Sequence, residues 1–220
     1  MPDRIQIKEE AKQVLRGARV NPYLVSLIVV GVLGLLGGLD SYVGASQTVD
    51  QMAGYDPDLA AMLPSFPEFP VLLVAFVAAV NWLAQAILSA GWSIYHLGVR
   101  RGKEMPFSCL LDGFSFLGKL ILLNIVMSIF VFLWSLLFYI PGLIAQYRYR
   151  FAVYNLCENP DIGIMEAISM SKAQTAGFKW TLFVLDLSFI GWILLSGLTL
   201  GILDIWLAPY REQANVGYFQ

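Results

Sequence analysis

Residues Leu133–Pro160 read LWSLLFYIPGLIAQYRYRFAVYNLCENP. The stretch starts as an apolar helix of membrane character, meets Pro141-Gly142, and resumes with Arg148 and Arg150 among aromatic and aliphatic residues. Proline removes a backbone donor and glycine widens the dihedral range, so a helix ends or kinks there. Either the pair makes a tight outer turn and 143–157 returns as a short span, or it kinks one long helix. The turn is preferred, because a return crossing puts Lys172 and Lys179 on the inner side with the other basic segments. A charge at membrane depth is expensive and ordinarily faces a bundle interior or a water-filled cavity. Gln146, Arg150 and Tyr154 are spaced by four and share a helical face. Arg148 lies roughly 200° away from Arg150 at a period of 3.6, so the two cannot both point inward. Arg150 has the polar companions and is assigned to the interior; Arg148 is left to snorkel or to meet another partner. The simpler alternative has both arginines reaching an interface.

Composition sets the class. Of 220 residues, 58% are hydrophobic and 14% charged, against about 45–50% and about 25% in soluble domains. The excess falls in long blocks, as a membrane protein requires. A net charge of −2 gives no sign of nucleic-acid binding. Cys109 and Cys157 lack CxxC spacing and His96 is the only histidine. Free thiols are therefore expected, with no disulfide framework, metal site or cofactor.

Outward from the opening stretch, residues 1–20 hold Arg4, Lys8, Lys12, Arg16 and Arg19, with Ile7, Ala11, Val14, Leu15 and Ala18 at helical spacing. This predicts an amphipathic helix on the cytoplasmic membrane surface, its cations on anionic lipid headgroups. Asp3, Glu9 and Glu10 argue against a signal peptide. Pro22–Leu39 is a first span, with Gly34 and Gly38 offering a close helix approach. Residues 40–70 carry five acids and no lysine or arginine. They read as an external loop with a short helix from Asp56-Pro57 through Leu63. Val71–Leu97 is a second span, in which Asn81 and Gln85 want a protein neighbour and Trp92 and Tyr95 suit an interfacial belt. Arg100, Arg101 and Lys103 then fix the orientation: the N-terminus and the 98–118 segment cytoplasmic, the acidic loop outside. Met105–Gly118 reads as a second interfacial segment and Leu117–Ile140 as a third span.

Beyond Pro160, Asp161 is a cap for a surface helix ending near Gly177, so that 158–177 is a third cytoplasmic segment. Phe178–Leu198 is a span with Asp186 about two turns in. The segment from Thr199, with Asp204, is a sixth and imperfect span that returns the C-terminus to the cytoplasm. The expectation is a single all-α domain over 1–220: a polytopic transmembrane bundle of about six spans, the fourth and sixth short or broken.

Five stretches, EEAKQVLRG, GKEMPFSCLLDGF, YIPGLIAQYRY, ENPDIGIMEAISMSK and LDLSFIGWILLSGLTLGILDIWLAPY, resemble a bacterial family of multi-pass membrane proteins, domain of unknown function nine-seven-five. The resemblance implies a one-domain protein of the bacterial cytoplasmic membrane and no reaction.

Arg150 and Asp186 are expected to pair, with Gln146 and Tyr154 completing the hydrogen bonds and Arg148 and Asp204 as further candidates. No HExxH or GxSxG occurs, so an enzyme is not expected. Buried charge, a broken helix and close-packing glycines favour a transport- or export-related bundle or membrane subunit. The alternative is a scaffold that organises lipid or partner proteins. A homo-oligomer or a membrane-protein partner fits either.

Overall fold

The computed structural model describes residues 4–56, 58, 61, 62, 67 and 69–219. The described residues are helical or irregular, with no strand among them. The helices are α1 (Arg4–Gly17), α2 (Pro22–Tyr55), α3 (Val71–Arg100), α4 (Leu117–Leu137), α5 (Tyr139–Tyr149), α6 (Ala152–Glu158), α7 (Ile164–Gln174), α8 (Lys179–Leu187), α9 (Ile190–Leu198) and α10 (Asp204–Phe219), with a 3₁₀ segment over Phe107–Phe116. Four stretches are long and apolar enough to cross a membrane: Pro22–Tyr55, Val71–Arg100, Phe107–Leu137 and Lys179–Leu198. The chain divides into two compact units, Val30–Gln85 and the remainder.

Within Val30–Gln85, α2 continues through the first sixteen residues of the expected loop, to Tyr55. No proline or basic residue interrupts 40–55, and its alanines, glutamine and methionine sustain a helix. Asn81 finds its protein partner here, donating to Asp40 at 3.2 Å, while Gln85 donates to Asn81 at 3.2 Å. Gln47 donates to the Phe69 carbonyl at 3.0 Å. The short helix expected from Asp56 to Leu63 falls largely outside the described residues.

In the larger unit the decisive break lies at Phe138, three residues before Pro141. Phe138 is extended, with φ −164° and ψ 158°, and α5 starts at Tyr139. Pro141 therefore occupies the first turn of α5, where its missing N–H would have had no intrahelical partner. Gly142 faces Ser135, and Tyr149 packs on Phe130 with ring centroids 5.9 Å apart, so α5 runs back antiparallel along α4. A Cβ at Gly142 would overlap Ser135 Oγ; glycine is required by proximity and not by a turn dihedral. The return continues through α6, and Lys119 Nζ near the start of α4 donates to the Pro160 carbonyl at 2.6 Å. Of the two geometries, the hairpin is the one observed.

Packing around this hairpin forms the main core, with Leu120, Leu123, Ala145, Ala152, Leu156 and Ile168 among its buried residues. The 3₁₀ segment folds back on α3, where Gly91 lets the Leu110 backbone approach closely. This buries Cys109 and Leu110, leaving Phe107, Leu111 and Phe114 exposed. Tyr95 is fully buried and not a belt residue, its hydroxyl donating to the Val20 carbonyl at 2.9 Å. Before α7, Asn159 Oδ1 accepts the Asp161 N–H and Glu166 accepts the Gly163 N–H, so Gly163 takes the capping place expected of Asp161.

The apolar face of α1 is covered by protein. Ile7 and Ala11 pack in a cluster with Leu185, Phe189, Leu207 and Ala214. A side chain at Gly217 would crowd Ile7 and the Arg100 guanidinium. Three arginines of this end pair with acids: Arg100 with Glu10 at 2.9 Å, Arg101 with Glu158, and Arg19 with Glu104.

Candidate functional site

The spacing that puts Gln146 and Arg150 on one face of a helix brings them to the side of α5 nearest α8 and α10. Arg150 closes α5, and from there its guanidinium reaches Asp186 on α8. Nη1 donates to Oδ2 at 2.6 Å and Nη2 to Oδ1 at 2.9 Å, a bidentate fork. Nη2 also donates to Asn215 Oδ1 at 2.8 Å, which fastens α10 to the pair. The Tyr147 hydroxyl donates to Asp186 Oδ2 at 3.0 Å, and its ring lies 5.5 Å from the guanidinium carbon. Both carboxylate oxygens are satisfied, as an ion pair drawn away from water requires.

A second polar cluster adjoins the first. Tyr154 OH and Ser93 Oγ donate to Glu212 Oε1 at 2.8 and 3.3 Å. On the next residue, Gln213 Nε2 donates to His96 Nδ1 at 2.8 Å and to the His96 carbonyl at 2.9 Å. The Gln213 amide thus meets both the ring and the backbone of His96. The His96 ring is fully buried against Trp92 and Tyr95. These bonds join the end of α3 to α6 and α10.

Two open clefts flank Arg150. One, of about 570 Å³, is lined by Asn124, Ser128 and Ser135 of α4 together with Gln146, Tyr149 and Arg150. The other, of about 230 Å³, is lined by Gln146, Tyr147, Arg150 and Asp186. Three of the five guanidinium N–H groups are used by Asp186 and Asn215. The Nε–H and the second Nη1 proton make no hydrogen bond to the described residues. Chemically, such an arrangement offers hydrogen-bond donors and a positive charge, which suit a polar or anionic group. Among the described residues, no three of His, Cys, Asp and Glu gather as a metal site would need.

Arg150, Asp186, Asn215, Tyr147, Tyr154 and Glu212 all lie in the C-terminal part of the chain. Residues 136–220 match the family model described as protein of unknown function, DUF975. The DUF975 region thus holds both sides of the ion pair and the acid of the second cluster, while α4 lines the larger cleft from outside it. Two stretches that carried the sequence resemblance, Glu9–Gly17 and Gly102–Phe114, also lie outside it. No curated protein and no solved structure matches the chain.

Of the residues expected at the site, Arg150 and Asp186 meet directly. Gln146 borders both clefts without bonding to the pair, and Tyr154 serves Glu212 instead. Arg148 stands apart, lining a cavity with Trp134, Pro141, Ile144 and Ala145, and its carbonyl accepts from Ser171 at 3.0 Å. Asp204 opens α10 and shares no hydrogen bond with the pair. Pro141 and Gly142 shape the hairpin and are not its break. Tyr147 and Asn215 were not anticipated. Tyr147 stands three residues before Arg150, a spacing that shares a helix face; Asn215 carried no local signal, because its role depends on how α10 docks.

Proposed function

We propose that this chain is a multi-pass protein of a bacterial cytoplasmic membrane. In this reading it is a transport- or export-related helix bundle, or the membrane subunit of one, that receives a polar or anionic group at Arg150. The observation that carries the reading is Arg150, fixed by Asp186 and Asn215 yet bordering two clefts with donors to spare. A fixed cation beside hydroxyl and amide side chains is a recurring way to hold an anion within a bundle. In the same reading α5 and α6 together make the return crossing after α4, and α8 to α10 dip into the bilayer from the cytoplasmic side as a hairpin whose exposed aliphatic turn, Leu198, Leu200 and Ile202, lies among acyl chains. Lysine and arginine placement puts both ends of the chain in the cytoplasm. The protein is proposed to be non-catalytic.

The test is flux. Purified protein in proteoliposomes is screened against small inorganic anions, organic acids and amino acids. The expected result is saturable uptake of one class that Arg150→Met abolishes. Absence of flux for every class, with folded protein in the vesicles, overturns the transport reading. A scaffold that organises lipid is the second reading, favoured by the lysine- and tryptophan-lined cleft between α1 and the α9–α10 turn.

A further inference from the structure

A cleft of about 290 Å³ lies where α1 meets α8, α9 and α10, away from Arg150. Its basic side is Lys8 and Lys12, one helical turn apart on α1. Its aromatic side is Phe189, Trp192, Trp206 and Tyr210. Lys8 Nζ stands 4.1 Å above the Phe189 ring, and no carboxylate pairs with it among the described residues. Lys12 is shared between Glu9 at 2.8 Å and the Tyr210 ring, 5.9 Å away. Burial, then the nearby cations Arg4 and Lys12, hold the Lys8 ammonium below its ordinary range. The charge there is incompletely compensated.

The apolar side of the cleft runs on into open hydrophobic surface. Trp192 and Trp206 are half exposed, and Leu198, Leu200 and Ile202 at the α9–α10 turn are more so. The chain reverses there through two left-handed residues, Leu200 with φ 51° and Gly201 with φ 83°. Two ammonium groups, a tryptophan pair and a continuous aliphatic surface match the parts of one amphiphile: a phosphate head, a glycerol level and acyl chains. Tryptophan prefers that same headgroup level.

We propose that this cleft is a binding site for one anionic phospholipid, its phosphate held by Lys8 and Lys12 and its acyl chains on the α9–α10 turn. The site rests on the membrane placement above but not on transport, so a protein without flux can still bind the lipid, and the reverse.

The experiment uses the full chain in detergent, titrated with mixed micelles carrying brominated phosphatidylglycerol or brominated phosphatidylcholine. Bromine quenches nearby tryptophan fluorescence. Half-saturation is expected at about thirtyfold lower concentration for phosphatidylglycerol, as two lysines near an anionic surface supply. Trp192→Phe with Trp206→Phe removes most of the saturable quenching. Lys8→Gln with Lys12→Gln abolishes the preference, and Lys8→Arg with Lys12→Arg retains it. Equal half-saturation for the two lipids in the unaltered chain overturns the proposal without recourse to any variant. So does a preference that survives the glutamine pair, or displacement by millimolar inorganic phosphate, which would mark a soluble-anion site.

Discussion

Arg150 and Asp186 are each less than one-third exposed, so the fork between them is worth more than a surface pair and leaves more damage when split. Arg150→Met or Asp186→Leu should each cost about 2–4 kcal/mol, because each strands a partly buried charge. The double variant should recover a large part of that loss in detergent melting. Strictly additive losses would mean that the two sites act independently and that the fork contributes nothing specific. Tyr147→Phe removes one hydrogen bond to Asp186 and should cost about 1 kcal/mol. Sequence spacing was enough to choose Arg150 over Arg148, since only Arg150 has polar residues one turn before and one turn after it. Spacing could not choose the tyrosine. Tyr154 shares the face but lies beyond the irregularity at Arg150–Phe151, and so reaches Glu212 instead.

At the scale of elements, the α4–α5 hairpin separates the roles of two adjacent residues. Pro141 sits in a first turn and its ring replaces an N–H that would bond to nothing in the helix. Pro141→Ala should change stability by less than about 0.5 kcal/mol. Gly142→Ala places a methyl group onto Ser135 and should cost about 1–3 kcal/mol, with Ser135→Gly recovering part of it. Differential melting of the three variants checks the assignment; equal effects at 141 and 142 would contradict it. Proline and glycine were legible as a punctuation mark in the sequence. The position of the mark was not, because a proline that starts a helix and one that ends it look alike until the neighbouring backbone is known. Phe138, where the chain does turn, has no local feature that announces a break. The extension of α2 to Tyr55 was missed for a related reason: acidic residues suggested a loop, while helix formers without proline were enough to continue the helix.

The whole molecule tests orientation. Cys109 is buried against α3, so it is a poor reporter of sidedness despite its place in a segment expected on the inner side. Lys103→Cys and Tyr55→Cys are exposed positions on segments of opposite expected side. In a background with both native cysteines replaced by alanine, a charged thiol reagent added to intact cells should label Tyr55→Cys and spare Lys103→Cys. Inverted vesicles should reverse the pattern, and the opposite result in either preparation overturns the topology. The all-helical class was legible from apolar blocks and their lengths, as were the four long apolar stretches. The docking of α1 was not. An amphipathic face reads the same whether lipid or another helix covers it, and nothing near Ile7 or Ala11 points to Ala214 or Gly217, some two hundred residues away.

That distance has a consequence in time. The α10 side chains that cover α1 follow it by some two hundred residues, so during synthesis at about 5–20 residues per second the helix waits roughly 10–40 s before they exist. Until then Ile7 and Ala11 lack Leu207 and Ala214, and Arg101 has no Glu158 until α6 is made. The nascent chain is therefore more basic and more lipid-seeking at its front end than the finished one. Its cations serve twice, first unpaired in the nascent chain and later in the ion pairs that close the fold.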